Sequence, residues 1–327
     1  MAPVRLFPIF AVLLAAVQVS IAEAKQGQVE AEVKRMIQAA REMSYQGVLV
    51  HGVPVGVESM RLFHRGGPDG SFRERLVMLT GPARELVRED DQIKRYHPDI
   101  GQVISGPRRS GTAIFKLAEK DLDRVRKYYS LTTGPTGRVA GRQARAVEFR
   151  AQDDHRFTYR VWRDVSNNLP LQTEILSEDG RVMETFMFAV VSPNSSLDEE
   201  DLRMKVPEAA RHLERRALEE GNHPEVLSRM KLPPGFRLDA RFGVPGEAGG
   251  THLFFTDGLA TLSVFLEKVK GNVDLSGKAG DILQRGALHA CSVHQGRYRI
   301  TLLGELPGPA IRRIAASLAA PSRKGAE

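Results

Sequence analysis

The chain has 327 residues, 42% of them hydrophobic and 27% charged, which excludes a disordered or collagen-like protein and describes an ordinary globular one. That length exceeds a single small core and implies two domains. A net charge of +7 favours anionic partners such as lipid head groups, lipopolysaccharide or an acidic protein, while the scattering of Arg and Lys argues against nucleic acid.

The N-terminus sets the expected compartment. Arg5 precedes an almost wholly apolar run over residues 6–19, and Ala22-Glu23-Ala24 has the small-x-small form of a signal-peptidase site. The run of about 14 residues is short for a membrane span, which needs roughly 20. Residues 1–24 therefore read as a cleavable signal peptide, and a Gram-negative source would place the mature chain in the periplasm. The single cysteine, Cys291, lies far downstream, so neither a lipoprotein anchor, an internal disulfide nor a Cys-based zinc site is expected.

Val29, Val33, Met36, Ile37, Ala40 and Met43 recur at helical spacing between charges, predicting an amphipathic helix. Strands are predicted at residues 48–50, 57–64, 72–79, 84–89 and 93–97, separated by turns rich in Gly, Pro and Asp. Residues 106–111 read as a loop, 114–129 as a helix and 139–150 as a strand element. Three further strands follow between Phe157 and Val191. Phe157, Tyr159 and Val161 alternate with Thr158, Arg160 and Trp162; Ser166-Asn167-Asn168 and Glu178-Asp179-Gly180 supply the turns. In the last of the three, Val182, Phe186, Phe188 and Val190 share one face and Met183, Met187 and Val191 the other. Both faces are apolar, so that strand is expected to be covered on two sides.

Composition changes after Ser192. Residues 196–230 are expected to form an interdomain linker with a surface helix at 208–220. Residues 231–327 then form a smaller α+β domain, with strands at 236–242, 252–256, 259–269, 287–294 and 298–303 and a final helix at 309–318. Residues 25–195 make up the larger domain.

No motif gives positive support for catalysis. Ser228-Arg229-Met230-Lys231 matches S-x-x-K but lacks the S-D-N and K-T-G partners of penicillin-recognising enzymes. Residues 271–278 are one residue too long for a phosphate loop, and Ala279 stands where Ser or Thr is required. The nine histidines include no helical i, i+3 or i+4 pair able to grip a metal. No cofactor is expected. What remains is a pocket: a sheet apolar on both faces can form a half-closed barrel around a hydrophobic ligand. Met60, Leu62, Leu76, Met78, Phe186 and Phe188 are the residues expected to line it. The competing reading is that the same side chains simply fill the core.

Tyr159-Arg160-Val161-Trp162-Arg163-Asp164, Leu169-Pro170-Leu171 and Glu178-Asp179-Gly180 together resemble the strand-turn-strand signature of the RseB/MucB family. Its W-x-D…L-P part is shared with the lipoprotein carriers LolA and LolB. Tyr45 with Gly47, Gly56-Val57-Glu58-Ser59-Met60-Arg61 and Gly81-Pro82-Ala83-Arg84-Glu85 add to the match. In the second domain it continues through Leu232-Pro233-Pro234-Gly235-Phe236, Thr256-Asp257-Gly258-Leu259, Ser263-Val264-Phe265 and Gly304-Glu305-Leu306-Pro307.

The resemblance implies an α+β protein whose large domain is a LolA-like unclosed antiparallel β-barrel with helices packed inside. It implies a periplasmic regulator that covers the periplasmic region of an RseA/MucA-type anti-sigma factor, shields it from site-1 proteolysis and keeps a σE-type sigma factor inactive. Lipopolysaccharide or lipoprotein acyl chains would be the releasing ligands. The partner surface is expected within residues 196–327, and a homodimer is an assembly to test. The alternatives are a lipid or lipoprotein carrier, against which the second domain argues, and an envelope hydrolase, which lacks its motifs.

Overall fold

The computed structural model describes residues 9–89, 92–107, 115–215, 218, 228–244, 250–269, 280–296 and 298–319, with side chains from residue 26 onward. Helix α1 (Ile9–Glu42) leads into β1 (Tyr45–Val53), β2 (Gly56–Gly66), β3 (Phe72–Met78), β4 (Glu85–Glu89), β5 (Gln92–His97) and β6 (Gln102–Pro107). After the one-turn helix α2 (Leu122–Val125) come β7 (Tyr129–Val139), β8 (Arg142–Ala151), β9 (Thr158–Asp164), β10 (Pro170–Leu176) and β11 (Val182–Pro193). The one-turn α3 (Glu199–Leu202) and β12 (Arg211–Glu214) complete this half. The second half comprises β13 (Arg237–Val244), β14 (Gly250–Thr256), β15 (Thr261–Lys268), β16 (Leu283–Arg285), β17 (Leu288–Gln295), β18 (Tyr298–Gly304) and α4 (Gly308–Ala319).

Strands β1–β12 form one twelve-stranded sheet in the order β12-β6-β5-β4-β3-β2-β1-β11-β10-β9-β8-β7. Its two ends, β12 and β7, do not pair, so the sheet curls without closing. The amphipathic stripe of α1 lies inside the curl: Val29, Val33, Met36 and Ile37 share a core with Tyr45, Leu49, Leu62, Phe149 and Phe188. Phe115, Leu117, Leu122 and Val125 enter the same core from the segment before β7. This is the unclosed barrel with helical segments packed inside. Burying α1's four aliphatic side chains stabilises the fold by about 1.5–3 kcal/mol each.

Strands β13–β18 form a second, six-stranded antiparallel sheet, β13-β14-β15-β18-β17-β16. Ile311, Ile314, Ala315 and Leu318 of α4 cover one face, against Leu262, Val264, Val293, Ile300 and Leu302. The three-to-four spacing of those α4 residues was the signal for the helix.

Several expectations are corrected. The helix over 114–129 is not formed within the described residues: only Leu122–Val125 is α-helical, and Tyr129 opens β7. Its apolar residues are buried as expected, Phe115 and Leu117 from an irregular stretch and Leu122 and Val125 from that single turn. The surface helix expected at 208–220 is not formed in the described part of that range: Arg211–Glu214 is β12, which pairs in parallel with β6, and residues 216, 217, 219 and 220 lie outside the described residues. The free edge of β6 outcompetes a short charged helix, which is marginal by itself. β11 is not covered on both sides along its length, and the register shift between Val48 and Leu49 changes its alternation near Ala189. Phe188 turns into the core while Val190 and Val182 are exposed. Residues 108–111, 114 and 271–279, which carried the loop, the helix start and the phosphate-loop comparison, lie outside the described residues.

Candidate functional site

The two sheets meet over a hub of buried polar groups. Arg156, in the turn before β9, places Nη1 2.7 Å from Asp257 Oδ2 in the β14–β15 turn, and neither side chain is exposed. Tyr129 Oη donates to the same oxygen at 3.0 Å. Asp257 Oδ1 accepts from the backbone amides of Leu259 and Ala260, so the carboxylate both closes its own turn and faces four donors. Burial pushes the Asp257 carboxyl up from its ordinary value, against these donors. Burial alone would lower the Arg156 guanidinium, but Asp153 and Asp257 more than offset it. Arg156 also donates to the Pro234 carbonyl at 2.8 Å and lies over the rings of Tyr128 and Phe236.

Two glycines make this approach possible. Gly258 has φ +111°, and a Cβ there would meet Val125 Cγ2 at 2.7 Å. Gly235 has φ +87°, and a Cβ would overlap the Tyr128 ring. Both belong to the motifs Leu232–Phe236 and Thr256–Leu259 noted in the sequence. Leu259 and Ala287 of the second half then insert into the barrel core.

Beside the hub lies a cavity of about 620 Å³ between the concave face of β1–β6 and the face of β13–β15. Its apolar floor includes Leu49, Met60, Leu76, Met78 and Phe186. Arg84, Arg88, Arg95, Lys116 and Arg215 also line it, against one carboxylate among the described residues, Glu85. That carboxylate is already engaged, accepting from Arg75 at 2.6 Å and from the Lys205 amide at 3.0 Å. Arg88 pairs with Glu74 and Lys116 with Glu305, whereas among the described residues no carboxylate pairs with Arg95. Burial, then Arg88 and Arg215, push the Arg95 guanidinium down to about 10. The cavity thus joins an apolar floor to an excess of positive charge, a combination that suits an amphipathic anion.

Of the six residues expected to line a pocket, Met60, Leu76, Met78 and Phe186 do so. Leu62 and Phe188 are 0% and 1% exposed and belong to the barrel core instead. The cationic lining was missed. Alternation in β5 puts Ile93, Arg95 and His97 on one face, but a single strand does not say which of its faces points inward.

The S-x-x-K stretch is structural. Ser228 and Lys231 are exposed, and the Lys231 amide donates to Ser317 Oγ at 3.0 Å, tying the segment to α4. Among the described residues there is no cluster of metal-ligating side chains, and no helix is long and apolar enough to cross a membrane.

Comparison with known proteins gives a family for both halves. The MucB/RseB N-terminal domain matches residues 28–206 and the MucB/RseB C-terminal domain residues 223–319. The chain is 27% identical over 294 residues to the sigma factor AlgU regulatory protein MucB of Pseudomonas aeruginosa, covering 87% of this chain and 88% of the relative. It is 25% identical over 300 residues to the sigma-E factor regulatory protein RseB of Salmonella typhimurium, covering 86% and 87%. MucB in the solved Pseudomonas aeruginosa MucA/MucB complex superposes with a TM-score of 0.66 at 25% identity, over 88% of this chain and 97% of that one.

Proposed function

This chain belongs to the MucB/RseB family, and from that premise we propose that it is a periplasmic negative regulator of an envelope-stress sigma factor. It binds the periplasmic region of a membrane anti-sigma factor of the RseA/MucA type and shields that region from site-1 proteolysis, so the sigma factor stays sequestered. The observation that carries this reading is the family match across both halves of the chain, together with relatives named as sigma factor regulators. Residues 1–24 serve as its secretion signal, and the two halves act as two domains, the larger reaching through β12 and the smaller beginning near residue 231. Its role is to bind rather than to catalyse.

Release follows from a lipid signal, a lipopolysaccharide fragment or a lipoprotein acyl chain. The interdomain cavity supports this reading, since its floor fits acyl chains and its cations fit phosphate. Met60, Leu76, Met78 and Phe186 contact the apolar part of the ligand. The anti-sigma segment binds within residues 196–327, close enough for the cavity to influence it. A lipid carrier would leave the six-stranded sheet, with its own core, without a role.

The test is affinity capture of the anti-sigma periplasmic fragment by the mature protein, with added lipopolysaccharide eluting it. Failure to capture the fragment without lipid contradicts the reading.

A further inference from the structure

The contacts between the two halves are unevenly placed. On the side of β7–β11 and the segment before it, Arg156 meets Asp257, Arg237 meets Asp121, Lys116 meets Glu305, and Glu184 accepts from the Ala287 amide. The opposite wing, β3–β6, faces β13–β15 across the cavity. Among the described residues its polar link to that sheet is the short segment that follows β12. The Arg211 and Arg215 amides donate to the Gly101 and Ser105 carbonyls, both at 2.8 Å, fastening the segment to β6. From there the Arg215 side chain crosses the gap. Its Nη2 donates to His252 Nδ1 of β14 at 3.0 Å, and its guanidinium lies 5.3 Å from the centroid of the Phe242 ring of β13. The Leu218 amide donates to the Arg241 carbonyl at 3.1 Å, completing the crossing.

We propose that Arg215 is a clasp that holds the β3–β6 wing shut against the six-stranded sheet, the Arg156–Asp257 hub being the pivot. The clasp is weak by construction. It consists of one hydrogen bond to a neutral imidazole and one cation–π contact, set among like charges: Arg88 and Arg95 line the same cavity. The bond requires His252 Nδ1 to be an acceptor, and Nε2, 2.9 Å from Ser263 Oγ, then carries the proton. Burial, then Arg215 and Arg95, push His252 down to about 4, so the acceptor form is the one present near neutrality. Arg215 belongs to the linker and also lines the cavity, so opening the clasp carries β12 away with β6 and admits a ligand in one movement. The clasp does not depend on what that ligand is.

The test is a distance measurement by double electron–electron resonance on the full mature chain, with spin labels on Q92C of β5 and K268C of β15 in a C291S background. Both labelled positions are exposed. Arg215→Ala and, from the other side, His252→Leu should each increase the long-distance population about tenfold, the equivalent of one hydrogen bond to a charged group. Arg313→Ala, which removes an exposed contact to Asp154 on the pivot side, should leave the distribution unchanged. Arg215→Ala and His252→Leu chains that fold, by thermal melt, and superpose on the parent distribution overturn the clasp. Equal widening in Arg313→Ala overturns the pivot.

Discussion

Arg156 Nη1 and Asp257 Oδ2 lie 2.7 Å apart across the domain boundary, both side chains wholly out of water. Removing one member of such a pair leaves the other charge buried and uncompensated, which costs about 3–5 kcal/mol. Asp257→Ala should lose stability on that scale in urea denaturation, whereas Arg313→Ala, at an exposed pair, should lose less than about 1 kcal/mol. The same reasoning applies to truncation. Deleting residues 233–327 would strip Arg156 of Asp257 and the Pro234 carbonyl and uncover the core that Leu259 and Ala287 seal. The isolated large domain should therefore melt well below the full chain.

Gly235→Ala should destabilise beyond the ordinary glycine effect. Its φ of +87° disfavours any side chain, and the added Cβ would enter the Tyr128 ring that stacks on Arg156. A loss of about 1–3 kcal/mol is expected from the backbone strain alone. Chemical denaturation of Gly235→Ala beside Gly27→Ala, whose Cβ meets nothing within 4 Å, measures the difference.

Stability should fall with acid over a defined window. His252 is held down to about 4 from 6.5, so between those values the unfolded chain takes up a proton that the native one refuses. The native state is thus at full strength above about pH 6.5 and weakens as pH drops toward 4. His97 and His289, both held down first by burial, act in the same direction. Urea midpoints measured across this window should show a shallower slope for His252→Gln than for the parent chain.

Phe186 and Phe188 separate ligand contact from core packing. Phe188 is buried against Tyr45 in an edge-on contact, and Phe188→Asp should unfold the barrel. Phe186 lines the cavity and stacks on His51, so Phe186→Ala should fold while losing affinity for an acylated, phosphorylated lipid, as titrated by intrinsic fluorescence.

Periodicity made much of this legible. The α1 stripe, the β9–β11 turns and the α4 stripe were readable because each element's spacing is local. Asn168 at φ 65° and Gly180 at φ 81° occupy the turns expected of them. The failures share a cause, since each depended on a distant partner. The segment from Phe115 to Val125 has helical spacing but plugs a barrel that supplies its contacts. Arg211–Glu214 becomes a strand because β6, more than a hundred residues earlier, offers an unpaired edge. The cationic cavity is assembled from β4, β5, Lys116 and the linker, and no single stretch of sequence carries its charge excess.

Shielding of the anti-sigma factor is tested by incubating that membrane protein with its site-1 protease in the presence of the mature chain. Stoichiometric protein should protect the periplasmic region from cleavage, and adding lipopolysaccharide should restore cleavage. Cleavage at an unchanged rate with the protein in excess and no lipid present would contradict shielding.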